Sequence, residues 1–435
     1  MPVNVGIIGF GTVGSGTAEV LIKNKELISK KIGDEITIKR IADLDIETDR
    51  GVPIDKGILT KDASEIIDDP EIKIVVELIG GTTKAKEFIL AAMEKGKHVV
   101  TANKALLAEY GKEIYEAAKR YGVGIGFEAA VAGGIPIIGA LKEGLSANRI
   151  HTVFGILNGT SNYILTKMRK NGLPYKDVVD EAVRLGIAED PPTLDVDGTD
   201  AAHKLAIIVS LISGYPIDYK KIYKEGITHI TPDDIRFADE FGYVIKLLAI
   251  ARQKEDYIEA RVHPTMIPKE NMLANVNEVF NAIYVEGDFV GPNLYYGLGA
   301  GRRPTGSAVA ADIINLARHI INGERGVIPP LGFSKEEKSS FAIQPIEDLR
   351  SRYYFRVSAV DRPGVLSLIS GILGKHKISI ESVIQKGRKK REDDSVPIVM
   401  LTHEALEKDV RKAISEIDML DVVRDKTVVI RVINE

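Results

Sequence analysis

Residues 3–14 read VNVGIIGFGTVG: a short apolar strand running straight into Gly9-Phe10-Gly11-Thr12-Val13-Gly14. A helical stretch follows to about Lys25. A G-x-G-x-x-G spacing alone is weak, but between a predicted strand and a predicted helix it has the setting it needs. Gly9 permits the tight turn, Gly11 lets the backbone approach a pyrophosphate, and Gly14 lets helix and strand pack closely. The first helical turn then meets the phosphates with unpaired N–H groups and a partial positive charge. The stretch therefore reads as a dinucleotide cradle.

Outward from the cradle, residues 36–42 and 73–79 read as strands and 84–96 as a helix. Residues 98–101 and 123–127 are further short apolar runs. Strands alternating with helices predict a parallel sheet covered on both faces, a Rossmann-like α/β domain over residues 1–128. The end of the second strand offers both Arg40 and Asp43. An acid there bonds the ribose hydroxyls of NAD, whereas an arginine accommodates the 2′-phosphate of NADP. The sequence leans to NADP through Arg40, with NAD and a merely solvated Arg40 left open.

After Phe127 the texture changes. Residues 129–139 are small and rich in Gly and Pro, 147–156 read as a strand, and 158–170 and 175–185 as helices. An acidic loop over 186–199 leads into a very apolar helix at 200–213, and 258–286 read mainly as strands. A Gly-rich stretch at 291–307 precedes a helix that returns to the first domain, spanning 304–323. The expectation is an α+β catalytic and dimerisation domain over 129–303. Residues 324–350 lack periodicity and read as a linker. Residues 351–435 predict strand, helix, two strands, helix and strand, the ferredoxin-like βαββαβ order.

Composition narrows the chemistry. The 435 residues imply two or three domains. Net charge is −4, with Lys and Arg dispersed, so no nucleic-acid partner is expected. The basic run Lys386–Arg391 reads as a solvated loop. There is no cysteine, which removes thiolate metal sites and thiol nucleophiles. The N-terminus lacks the charged region of a signal peptide, and no apolar run reaches the roughly 18 residues of a membrane span. A cytoplasmic protein is expected.

Two lysines stand where chemistry is expected. Lys104, in Thr101-Ala102-Asn103-Lys104, follows the carboxyl end of a predicted strand, where such sheets bind ligands. Lys204 lies four residues after Asp200, so both share one helix face. That pair reads either as a helix salt bridge or as a substrate-binding carboxylate beside a proton-transferring lysine. Glu189, Asp190, Asp195 and Asp197 crowd the loop before it and suit an ammonium group or simply solvent. His203 points to another face and reads as structural.

These residues resemble a known family. GILNGTSNYIL at 155–165 and LGIAEDPPTLDVDGTDAAHKL at 185–205 are similar to the core and substrate motifs of homoserine dehydrogenases. The glycine loop, TANK and EAAVAGGIPII at 128–138 fit the same family in order. Asp361-Arg362-Pro363-Gly364-Val365-Leu366 resembles the start of an ACT domain. The resemblance implies reversible, NAD(P)-dependent interconversion of L-homoserine and L-aspartate 4-semialdehyde, on the route to threonine, methionine and isoleucine. It implies that Lys204 moves the proton at the substrate oxygen and that Lys104 lies beside cofactor and substrate. Glu189 and Asp200 would hold homoserine, with Asp195 in support. Phe10, Thr12, Val13 and Gly301 would line the cofactor. A monovalent cation, usually sodium, would sit on Glu128 and the backbone of Val131, Gly133 and Ile135. The ACT domain would bind an amino-acid effector or join copies into a homodimer or higher assembly. One departure stands out: where the family pattern places Ala-Asp-Pro after the glutamate, this chain has Asp190-Pro191-Pro192. Two other readings fit the residues less well. Aspartate-semialdehyde dehydrogenase resembles a thioester route that needs a cysteine, which is absent here. A catalytically dead amino-acid sensor would not need Lys104, Lys204, Glu189 and Asp200 together.

Overall fold

A computed structural model describes residues 2–323, 328–334, 342–385 and 395–433. The basic run at 386–391 lies outside the described residues. The N-terminal part runs β1 (Val3–Ile8), α1 (Thr12–Lys23), α2 (Lys25–Ile32), β2 (Ile36–Ala42), β3 (Leu59–Thr60), α3 (Ser64–Ile67), β4 (Ile72–Glu77), α4 (Thr83–Glu94), β5 (His98–Thr101), α5 (Lys104–Tyr121) and β6 (Ile125–Gly126). The six strands pair in parallel in the order β3-β2-β1-β4-β5-β6. This is the Rossmann-like sheet expected from the sequence. Alternate residues feed opposite cores: Val75 packs on one face, Ile74 and Val76 on the other. The chain order reverses between β1 and β4, which opens a crevice at their carboxyl ends.

The middle of the chain runs α6 (Ile137–Gly139), β7 (Ile150–Ile156), α7 (Gly159–Asn171), α8 (Tyr175–Arg184), α9 (Thr193–Val196), α10 (Thr199–Ser213), β8 (Tyr223–Lys224), α11 (Pro232–Glu240), β9 (Tyr243–Gln253), β10 (Tyr257–Pro268), β11 (Phe280–Gly287), β12 (Gly291–Leu298) and α12 (Arg302–Ile321). All fifteen residues of α10 are buried, because it forms the centre of the main core. Strand β9 was not foreseen. It is buried on both faces from Val244 to Ala251, so its sequence shows no alternation. The Gly-rich stretch opens as a strand, β12, before α12 returns to α1. That return depends on two glycines. A Cβ on Gly16 would meet Arg302 O at 2.0 Å, and one on Gly306 would meet Gly16 C at 2.6 Å.

The C-terminal part runs β13 (Ala342–Ile343), β14 (Arg350–Val360), α13 (Val365–Lys375), β15 (Ile380–Gln385), β16 (Ser395–Thr402), β17 (Ala405–Leu406), α14 (Glu407–Ile417) and β18 (Val428–Val432). The order is the ferredoxin-like one, with its own core around Phe355, Ile369, Leu373 and Ile417. Its sheet is continuous with that of the middle part, in the order β12-β11-β7-β9-β10-β18-β14-β16-β15. One edge of β10 carries three short parallel partners in turn: β13 at Tyr257–Ile258, β8 at Arg261–Val262 and β18 at Thr265–Met266. The stretch read as a linker is thus partly laid down on β10. Two buried arginines tie the parts together. Arg356 grips Asp234 of α11 through Nε at 2.6 Å and Nη2 at 3.0 Å. Arg431 lies between Glu407 and Glu225.

Candidate active site

The cradle is built as its glycines require. Gly9 has φ +103°, and a Cβ there would meet the Leu78 carbonyl at 2.7 Å. A Cβ on Gly14 would meet Gly9 O at 2.0 Å, whereas Gly11 faces open space. Helix α1 starts at Thr12 with no side-chain cap, which leaves its first N–H groups for a ligand. Thr12 is exposed and Val13 partly buried at this end, while the Phe10 ring is buried in the core behind the loop. Beside the loop lies a cavity of about 1010 Å³ lined by Gly9, Gly11, Asp43, Leu44, Leu78 and Ile79.

Asp43 stands on this cavity wall and Arg40 does not. The Asp43 carboxylate accepts the Phe10 N–H at 2.5 Å and the Asp45 N–H at 2.9 Å. The Arg40 guanidinium is turned to Glu65, with Nη1 at 2.6 Å from Oε2. That ion pair holds the guanidinium off the cavity wall. Gly301, with φ +128°, precedes α12. Its neighbour Gly299 passes so close to Gly133 that a Cβ on the latter would meet Gly299 O at 2.4 Å.

The chemistry-bearing residues come together where α5, α7 and α10 begin. Asn103 caps α5 by accepting the Leu106 N–H at 3.1 Å, and Lys104 is the first helical residue. Gly198, with φ +86°, turns the chain into α10, placing Asp200 in its first turn and Lys204 one turn on. Asp200 is shared: Oδ1 lies 2.9 Å from Lys104 Nζ and Oδ2 2.7 Å from Lys204 Nζ. Lys204 Nζ also donates to Leu157 O at 2.6 Å. His203 is buried against Tyr219, ring edge to face at 4.4 Å.

Asn158, at the start of the helix predicted over 158–170, organises the acids. Its Oδ1 caps α7 through the Ser161 N–H at 2.7 Å. Its Nδ2 donates to Asp195 Oδ1 at 2.7 Å and to Asp200 Oδ2 at 2.9 Å. The asparagine at a helix start was the available signal; the Leu157 carbonyl left none. Glu189 is exposed at the rim, near enough for its charge to act on Lys104. Asp190 and Pro191 are both exposed.

Electrostatics separate the two lysines. Burial would raise Asp200, but Lys204, then Lys104, and hydrogen bonds from Lys204 and Asn158 hold it well below the usual range. Lys104 is raised, first by Asp200, against its desolvation. Lys204 is lowered, chiefly by burial and further by Lys104, with Asp200 opposing. Burial raises Asp195. The arrangement therefore holds one firmly cationic lysine and one that releases its proton more readily.

Glu128 lies at the turn into α6, where Oε1 and Oε2 accept the N–H groups of Ile138 and Gly139 at 2.8 and 2.7 Å. Its own N–H donates to Asp312 at 2.8 Å. Burial raises both acids, Asp312 to about 8. Ala132 and Gly133 adopt left-handed conformations at φ +54° and +49°, while the Ile135 carbonyl already accepts the Ile137 N–H. A buried glutamate and a half-buried aspartate beside this turn offer the hard oxygen donors that a monovalent cation takes. Among the described residues no group of three or more His, Cys, Asp or Glu could hold a metal, so such a cation would rely on Glu128 and backbone oxygens.

Three sequence profiles match the chain: the homoserine dehydrogenase NAD binding domain over 9–128, homoserine dehydrogenase over 136–314, and the ACT domain over 353–418. The homoserine dehydrogenase of Pseudomonas aeruginosa is 48% identical, with 99% of each chain covered. The crystal structure of a homoserine dehydrogenase from Thiobacillus denitrificans superposes with TM-score 0.93 at 48% identity, covering 100% of this chain and 99% of that one. A hyperthermophilic archaeal homoserine dehydrogenase in complex with NADPH superposes with TM-score 0.62 at 29% identity. It covers 73% of this chain and is itself covered over 98% of its length.

Proposed function

The chain belongs to the homoserine dehydrogenase family, and from that premise we propose how its own residues carry the reaction. The reaction is the NAD(P)-dependent, reversible interconversion of L-homoserine and L-aspartate 4-semialdehyde. A nicotinamide cofactor held at the glycine loop, Gly9 to Gly14, would supply the hydride acceptor and donor for carbon 4 of homoserine. Lys204, neutral, removes the hydroxyl proton as the carbonyl forms, and as ammonium it returns that proton to the aldehyde oxygen. Its ammonium form is stabilised by Leu157 O and Asp200. Lys104 stays cationic and balances Asp200 while facing cofactor and substrate. Glu189 and Asp200 hold homoserine, and Asp195, steadied by Asn158, supports the ammonium end.

What carries this reading is the Asp200 carboxylate bridging Lys104 and Lys204 beside the mouth of the glycine-loop sheet. The test follows reduced-nicotinamide absorbance with homoserine and either cofactor; turnover with neither overturns the proposal. Run with both cofactors, the same assay decides selectivity. Asp43 on the cavity wall and Arg40 paired with Glu65 favour acceptance of NAD. For Arg40 to meet the 2′-phosphate of NADP it would have to leave Glu65.

Three finer assignments belong to the same proposal. Sodium sits at Glu128 with the carbonyls of Val131, Gly133 and Ile135. Two copies associate, as the exposed Phe289 and Tyr296 favour. An amino-acid effector, threonine first, binds near Asp361–Leu366, where Gly364 at φ +92° turns the chain into α13. No described helix is long and apolar enough to cross a membrane.

A further inference from the structure

The turn that carries Asp200 is braced by a strap, residues 223–227. Lys224 of β8 donates to Asp197 Oδ2 at 3.1 Å and also to Thr199 Oγ1. The Ile227 N–H donates to Val196 O at 2.9 Å. The fit is close: a Cβ on Gly226 would meet Val196 O at 2.1 Å and Asp197 Cα at 2.7 Å. The strap and the start of α10 therefore move as one body.

The other side of the strap faces the C-terminal part. Glu225 Oε2 lies 2.8 Å from Arg431 Nη1 of β18, and the Tyr223 hydroxyl bonds both Glu225 at 2.8 Å and Arg431 at 3.3 Å. Arg431 is only 4% exposed and is shared. Its Nε also donates to Glu407 Oε2 at 2.8 Å, at the first residue of α14. Tyr353 and Arg411 fix Glu407 in turn at 2.9 and 3.0 Å. Strands β8 and β18 lie one after the other on the same edge of β10. A buried guanidinium held by two carboxylates, one from each part, cannot shift towards one without weakening its hold on the other.

We propose that Arg431 is a positioning residue for the substrate site. Through Glu225 it sets the strap, through Lys224 the strap sets the Asp197–Thr199 turn, and that turn sets Asp200. This deepens the functional reading and rests on it: the joint is where the state of the ACT domain reaches homoserine binding. Arg431 touches none of Lys104, Asp200 and Lys204, so it adjusts the site and takes no part in the chemistry.

The test uses the full chain with Arg431→Met, Arg431→Lys, Glu225→Gln and the Arg431→Met/Glu225→Gln double variant. Arg431→Met and Glu225→Gln each raise the homoserine KM by about fivefold or more, while the cofactor KM stays within about twofold. The double variant adds nothing further, because the pair acts as one unit. Arg431→Lys restores part of the loss. A fall in Tm with unchanged homoserine KM overturns the proposal, as does a parallel rise in both KM values. Should Arg431→Met not fold, Glu225→Gln carries the test alone, since it leaves the Arg431–Glu407 pair intact. Wild-type enzyme that does not turn over homoserine sinks the functional reading as well; wild-type turnover with unmoved variants sinks this inference only.

Discussion

Lys204 has three N–H bonds in its ammonium form, and two are committed, to Leu157 O and to Asp200. The third is free for the substrate oxygen. Lys204→Ala removes the proton carrier but leaves the glycine loop untouched. Its kcat is expected to fall by roughly 10²–10⁴, the usual contribution of a placed acid–base group. Titration with reduced cofactor should show unchanged affinity; lost cofactor affinity with a retained rate would refute the assigned role. A second buried group is bonded to Thr101, three residues before Lys104. Glu77, at the end of β4, accepts from Thr101 Oγ1 at 2.6 Å and from the Ile79 N–H at 2.8 Å, and burial raises it to about 7. The folded state therefore holds this proton more tightly than the unfolded chain. Wild type should lose stability as pH rises from about 4.5 to about 7, and no further above that. Glu77→Gln lacks that loss, so the Tm difference in its favour should widen across the same window and then level off. A difference that narrows with pH would show that Glu77 is ionised throughout. At this scale the sequence was informative about the charged residues and silent about their supports. Asp200 and Lys204 share a face by spacing alone, whereas Asn158 reaches Asp195 and Asp200 only after the chain has folded.

Among the elements, α1 and α12 meet through glycine. Gly16 and Gly306 bring the two backbones together, so the helix that returns from the middle part is seated directly behind the cradle. Gly306→Ala forces the helices apart, a small-to-large change expected to cost about 1–3 kcal/mol. Chemical denaturation should show that loss together with a weaker grip on cofactor, because α1 presents the phosphate-binding end. Loss of stability alone would mean that α1 holds its place without α12. Why some elements were legible and others hidden follows from burial. Strand β1 with its glycine loop announces itself, and α7 carries its asparagine cap and closes at Gly172. Strand β9 is covered on both faces, and a continuous apolar run suits a buried helix as well as a strand. The Gly-rich stretch 291–298 shows no strand alternation in sequence. It forms β12, which pairs with β11 along its whole length.

For the molecule as a whole, the C-terminal part is built into the middle part. Asp234 is fully buried, and Arg356 of β14 supplies its charged partner. Strand β10 would lose two of its three partners on one edge. A chain ended at residue 334 would remove both the Arg356 partner of Asp234 and the β14 residues that cover it. The truncated protein is expected to melt earlier and to associate through the freed edge, as light scattering would report; a monomer of unchanged Tm would contradict this.

The seam along β10 has a mechanical consequence. The C-terminal part is stapled to one strand at both its entry and its exit, at Ile258 and at Thr265. Seven residues of strand separate the staples by roughly 23 Å. Two staples on one strand leave rotation about that strand as the only rigid swing, and the Arg356–Asp234 and Arg431–Glu225 pairs oppose it. Signals crossing this boundary must therefore travel as tension in a few shared side chains, and the outline of the molecule in solution should be the same whether or not an effector is bound.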